Sequence, residues 1–316
     1  MAPRAFQAWR VIREADFEGI RADADRPFQV LVTADHRADA EAIAAALAAE
    51  HPWLLVREPE AARREAGSGM LDLAVAVARG PDLSRGLQPV RELLGSARVP
   101  LVTVVLDAGR AAVVPRPGEA ARVAASGLDT ALPELAHALL EAAPTTLRVA
   151  LARHLPPLRE PLIDELIGDT ARANAMYALT TAVAESVPIL SAPLNLADVV
   201  VLTKNQLVMS YRIALACGRR GRAREILGEV MGVIGSGFLF RQAGRQLVGL
   251  IPLAGIPLKA AVAWAGTVAI GRAVAAWVRR GERLSRAAVA RLYREALGQG
   301  RSAVRALLGE RASRRR

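Results

Sequence analysis

The stretch from Pro193 to Gly281 limits what this chain can fold into more than any other. Within it run PLNLADVVVLTKNQLVM (193–209), GEVMGVIGSGF (228–238) and LIPLAGIPLKAAVAWAGTVAIG (250–271), rich in Ala, Gly, Val and Leu and broken by Pro and Gly. Helices this apolar on most sides must be buried, either in a protein core or in lipid. At 316 residues the chain is long enough for one large or two ordinary domains. Its hydrophobic fraction of 52% lies above that of an ordinary soluble protein and below that of a polytopic transporter.

The charge is divided unevenly along the chain. Residues 1–145 carry a net −4 and residues 146–316 a net +15, so the overall +11 comes entirely from the apolar half. A basic apolar domain suits an anionic membrane surface or an acidic protein partner. The helical half has few aromatics to stack on bases and no recognition motif, which argues against nucleic acid. Only Lys204 and Lys259 are lysines, and this Arg excess reads as genome composition before it reads as phosphate recognition. Cys217 is the single cysteine, so no internal disulfide can form and a cysteine-based metal site has no support. The first residues, MAPRAFQAWRVIREADFEG, include acids and no continuous apolar run, unlike a secretory signal.

The first half alternates apolar strands with helices. FQVLVTA (28–34), WLLVRE (53–58), LDLAVAVA (71–78) and PLVTVVLDAG (100–109) read as strands, with RVAASG (122–127) as an edge strand. AEAIAAALAAE (40–50), LQPVRELLG (87–95) and ALPELAHALLEAA (131–143) read as helices. Continuous apolar strands between helices predict a parallel sheet covered on both faces. Ligands of such sheets bind at the carboxyl ends of the strands.

The loop TADHRADAE (33–41) occupies that end after the first strand, but it has no glycine and no Gly-Lys pair. Asp35 and Asp39 place negative charge near the following helix N-terminus, which suits the helix dipole and repels phosphate. The pattern GxxxxGK[ST] occurs nowhere in the chain, so triphosphate binding lacks its usual backbone cradle and lysine. Asp107 fits a base-reading carboxylate or a turn before Ala108-Gly109. His36, His51, His137 and His154 show no metal-ligand spacing. No catalytic residue, cofactor site or metal site is assigned.

The second half reads as helices over about 160–186 and 194–218, one or two more over 224–250, and another over 258–278. Asn195, Asp198, Asn205 and Gln206 share an arc of about 100° on the second, making either a buried hydrogen-bond network or a binding stripe. Lys204 points elsewhere and is a candidate surface contact. Gly228 and Gly232 begin the next helix. Ala263, Thr267, Gly271 and Ala275 then form a ridge of small residues of the kind that lets helix backbones approach closely, with the 228–249 arm as the simplest partner. The two arms make an apolar helical hairpin, basic at both outer ends, that reads as membrane-embedded or as a soluble helical core. The final segment from residue 286 is a basic amphipathic helix.

Pro193, Asp198, Leu202, the run Thr203-Lys204-Asn205-Gln206 and Gly218 resemble the conserved helix of a bacterial family, domain of unknown function 697. Leu250-Ile251-Pro252 with Gly255, then Thr267-x-Ala269-x-Gly271 and Gly281, resemble its second block in the same order. That family is similar to YcjF-like inner-membrane proteins and is often fused behind an Era-like GTPase domain. The resemblance implies a degenerate GTPase-like domain over 28–145 after a helical extension over 1–27. It also implies a helical apolar domain over 146–285, before the basic helix over 286–316. The function it implies is a non-catalytic, membrane-associated binding or scaffold protein at the cytoplasmic face of a bacterial inner membrane. Its partner would be the membrane or an unidentified protein, self-association included. The alternatives are a GTPase relative with noncanonical nucleotide binding and a soluble helical assembly module.

Overall fold

The computed structural model describes residues 15–48, 52–80, 82–106, 114–184, 191–233, 255–281 and 284–313. Within these, the side chains of 129, 182–184, 191–199, 231–233, 255–256, 286 and 310–313 lie outside the description. Two compact units result: Arg21–Leu162 holds the sheet, and the described part of the other, over Ile163–Arg316, is helical.

After helix α1 (Phe17–Asp25), the sheet unit runs β1 (Val30–Ala34), α2 (Arg37–Leu47), β2 (Leu54–Arg57), α3 (Pro59–Ala66), β3 (Leu73–Arg79) and α4 (Gln88–Ser96). β4 (Leu101–Leu106), β5 (Ala121–Ala125), α5 (Leu128–Ala142), α6 (Thr145–His154) and a 3-10 turn (Pro156–Leu158) complete it. All strand pairs are parallel, in the order β2-β1-β3-β4-β5. This is the order of a doubly wound sheet whose direction of winding reverses between β1 and β3.

The two faces of the sheet differ in composition because different helices cover them. One face presents Val30, Val32, Val75, Val77, Val102 and Val104, all buried, toward α2 and α5. The other presents Leu31, Ala74, Ala76, Ala78 and Leu101 to Ala62, Ala66, Val90 and Leu94 of α3 and α4. Small alanines on β3 bring those short helices close to the sheet. Pro59 starts α3 from the first helical turn, where its missing N–H costs nothing. The segment around Pro156 and Pro157 belongs to this packing, since Leu155 and Leu158 are fully buried.

The helical unit contains α7 (Arg159–Ala184), α8 (Ser191–Ala216), α9 (Ala223–Val233), α10 (Gly255–Arg280) and α11 (Arg286–Ser313). α8 ends in a glycine-capped turn: Gly218, at φ +86°, donates to the Leu215 carbonyl while Arg219 donates to Ala214. Arg219 then lies over the Trp277 ring, 4.7 Å from its centroid, which ties that turn to the last turns of α10.

α10 is the central helix. Ala260, Ala261, Ala265, Ala269, Ala273 and Val274 are all 1% exposed or less. Core residues of α7, α8 and α11 surround its first half, among them Ala178, Leu202 and Val304. By length and composition Pro257–Arg280 could cross a bilayer, yet 67% of its apolar window is already buried by protein. Residues 234–254, most of the other arm of the hairpin, lie outside the described residues. The small ridge on α10 meets α7 and α8: a Cβ at Gly271 would come within 2.5 Å of Ile167 and 3.2 Å of Met209.

A Leu at position 271 must therefore push two helices apart, whereas Arg280 ends α10 exposed. Gly271→Leu should lower unfolding stability by about 1–3 kcal/mol or more, and Arg280→Leu by less than about 0.5 kcal/mol. Urea denaturation of the two variants checks this; equal midpoints would refute the close packing.

Candidate functional site

The carboxyl ends of β1 and β3 flank the crevice where a doubly wound sheet takes its ligand. β1 delivers Asp35 and His36 and then enters α2, whose third residue is Asp39. β3 ends in Arg79, and Gly80 turns the chain away at φ +97°. The Arg79 guanidinium reaches across the crevice to Asp39, Nε donating to Oδ2 and Nη2 to Oδ1, both at 2.8 Å. Ser84, beyond β3, donates its hydroxyl proton to Asp35 Oδ1. Both acids of the loop are thus held by groups from the β3 side.

This geometry places a carboxylate, 6% exposed, in the first turn of α2, where the unpaired amides and the helix dipole favour an anion. The Arg79 hydrogen bonds hold the Asp39 carboxyl below its ordinary range, against the opposing effect of burial. A forked guanidinium on a planar carboxylate is a strong, directional contact. An incoming phosphate would have to compete with Asp39 for the same arginine. Arg79 and Ser84 escaped the sequence reading; the one signal was an arginine closing the apolar run LAVAVAR.

His36 and His137 are exposed, and His154 packs edge-on against Trp53 at 4.5 Å between centroids. Asp107 and His51 lie outside the described residues. Among the described residues no group of three or more His, Cys, Asp or Glu could hold a metal ion. At the end of β5, the Gly127 amide donates to Thr130 Oγ1 and the Thr130 hydroxyl donates back to the Gly127 carbonyl, which closes the start of α5 on itself.

At the opposite end of the sheet a cavity of about 470 Å³ is bounded by Arg98, Pro100, Gly118, Glu119 and Glu141. Beneath it Arg122 of β5 donates from Nε and Nη2 to Glu119, at 2.9 and 2.7 Å, and both side chains are almost fully buried. Burial drives the Glu119 carboxyl up, but the Arg122 hydrogen bonds and the Arg116 amide outweigh it and hold the group below its usual range. Arg98, the one described non-glycine residue with positive φ (+57°), occupies the left-handed position that ends α4.

In the helical unit, Asn205 and Gln206 of α8 meet Asn174 of α7 and Thr267 of α10. Asn205 Nδ2 donates to Asn174 Oδ1 at 2.8 Å, and Asn174 Nδ2 donates to Thr267 Oγ1 at 2.9 Å. Gln206 Nε2 donates to the same hydroxyl at 3.2 Å, and the hydroxyl donates to the Ala263 carbonyl at 2.8 Å. Thr267 therefore uses its proton and both lone pairs, with Asn174 and Thr267 completely buried. Asn195 and Asp198 lie on α8, but their side chains are outside the described residues, as are the surroundings of Gly232. Lys204 is half-buried, and a Cβ at Gly228 would meet none of the described residues within 4 Å.

Compared with family models, curated proteins and solved structures, the chain has no significant match.

Two outcomes follow from these geometries. Asp39 and Glu119 both titrate lower folded than unfolded, so their stabilisation is present above the unfolded carboxylate range, near pH 4, and is lost as pH falls through the folded values. Glu119→Ala should cost about 3–5 kcal/mol at neutral pH by removing the carboxylate that pairs with the buried Arg122 guanidinium. It should also flatten the acid limb of the stability curve; an unchanged curve would contradict the pairing. Asn174→Ala should cost about 1–3 kcal/mol in thermal or urea unfolding, and a variant as stable as the parent would remove the network.

Proposed function

We propose that the protein is a non-catalytic, membrane-associated binding or scaffold protein whose GTPase-like α/β unit no longer takes a nucleotide. The observation that carries this reading is the Asp39–Arg79 pair at the β1/β3 crevice. The chain's own carboxylate stands where a phosphate would approach the helix, and the arginine best placed to attract that phosphate is held by it. The loop glycines and lysine that make a triphosphate cradle are replaced by Asp35, His36 and Asp39.

The membrane part rests on the helical unit's charge and on the length of α10, with the cytoplasmic face of a bacterial inner membrane as the proposed location. The membrane or an unidentified protein is then the partner, with self-association as a further mode. A second reading, a soluble helical assembly module, is favoured by one observation: α10 is already mostly covered by its own bundle.

Titration of GTP and ATP with Mg²⁺ into the purified protein should show no saturable heat at micromolar concentration. Saturable, Mg-dependent binding would replace this proposal with a noncanonical nucleotide site. In fractionated cells the protein should sediment with membranes; recovery in the soluble fraction would support the assembly module.

A further inference from the structure

α11 has one face committed to the bundle and a second with no counterpart among the described residues. Val289, Ala296, Val304 and Leu307 are buried, and Gly300 lies so close to α10 that a Cβ there would be 3.0 Å from the Ala261 carbonyl oxygen. On the outer side Arg291, Arg294, Arg301 and Arg305 are exposed. They fall within an arc of about 80° along about 21 Å of helix. Beside them Gly298, Ser302 and Gly309 are exposed, and among the described residues nothing lies within 4 Å of a Cβ built at either glycine.

Leu308 borders the stripe, 38% exposed. Arg291 lies 3.8 Å from Glu295, and Arg294 donates to the Ala290 carbonyl. Arg301 and Arg305 have no acidic partner among the described residues.

We infer that this face of α11 docks on an anionic lipid surface. The inference rests on the membrane reading and names the element and the lipid charge that serve it. Small residues along one edge of the stripe let a straight helix lie close to a plane. The flanking arginines reach headgroup phosphates with forked donors while their stems follow the apolar boundary. Leu308 at the edge supplies the apolar contact that an interfacial helix makes with the acyl layer. A nucleic-acid strand would offer similar phosphates, but the stripe has no aromatic residue on which a base could stack; Tyr293, on the same helix, is half-buried.

Co-sedimentation of the full-length protein with two kinds of vesicle tests this. One is phosphatidylcholine alone, the other equal parts phosphatidylcholine and phosphatidylglycerol. Binding should favour the anionic vesicles and weaken with salt. At about fivefold per basic residue, Arg301→Gln with Arg305→Gln should reduce it about 25-fold. Arg301→Lys with Arg305→Lys should retain most of it, and circular dichroism should match across all three proteins.

Equal binding of parent and glutamine variant to both vesicle types would overturn the inference while leaving membrane association intact. Binding of the parent to neither would overturn both. Competition by a DNA or RNA oligonucleotide that displaces the vesicles through the same two arginines would reassign the face to nucleic acid and overturn the lipid inference.

Discussion

Burying β1, β3 and β4 on both faces makes an unpaired charge at the sheet's margins costly, so the buried acids there meet arginines within the chain. Stripped of water, a lone carboxylate or guanidinium costs several kcal/mol, far more than one contact in a marginally stable domain can offset. The sheet meets this constraint at both ends with the same device. Arg79 closes on Asp39 at the carboxyl ends, and Arg122 closes on Glu119 on the edge strand β5. The first is half-exposed through its arginine and the second is almost completely buried, so the two differ in what their loss would cost.

The helical unit meets the constraint with neutral groups. Asn174, Asn205, Gln206 and Thr267 come from three helices and satisfy one another inside a core otherwise built of alanine and branched aliphatics. A connected amide–hydroxyl network fixes the rotation and height of α10 against α7 and α8, because sliding any helix would break several bonds at once. Gly271 permits this registry by letting α10 come close to Ile167 and Met209. The helix with the composition of a membrane span thus has a detailed set of protein neighbours, which shifts attention from α10 to the outer surface of the bundle.

The two units are electrically unlike. The residues of the sheet half sum to a slight negative charge, and the helical half carries the whole positive excess. In the sheet unit, Arg79 at the crevice and Arg122 on β5 are each paired with an acid. Along α11 arginines face water. The same side chain bridges the ends of two elements in one unit and presents a charged surface in the other, and the difference lies in whether an acid from another element can reach it.

Much of the architecture was legible in the chain. Apolar runs at 28–34, 71–78 and 100–109, separated by helical periodicity, dictate a parallel sheet, because strands buried on both faces need helices on both sides. Gly218 after a long helical pattern marked the end of α8, since left-handed backbone favours glycine. The polar stripe of Asn195, Asp198, Asn205 and Gln206 could be placed on one helix face by period alone. The short helix Pro59–Ala66 gave little signal in its eight residues, and Arg79, Ser84 and Thr267 carried no mark of their partners. Those partners lie 40, 49 and 93 residues away in sequence. Periodicity reports which face of an element is apolar, a property of neighbouring residues. Which arginine meets which acid, and whether an apolar helix faces protein or lipid, depends on contacts between distant segments, and only the tertiary structure decides them.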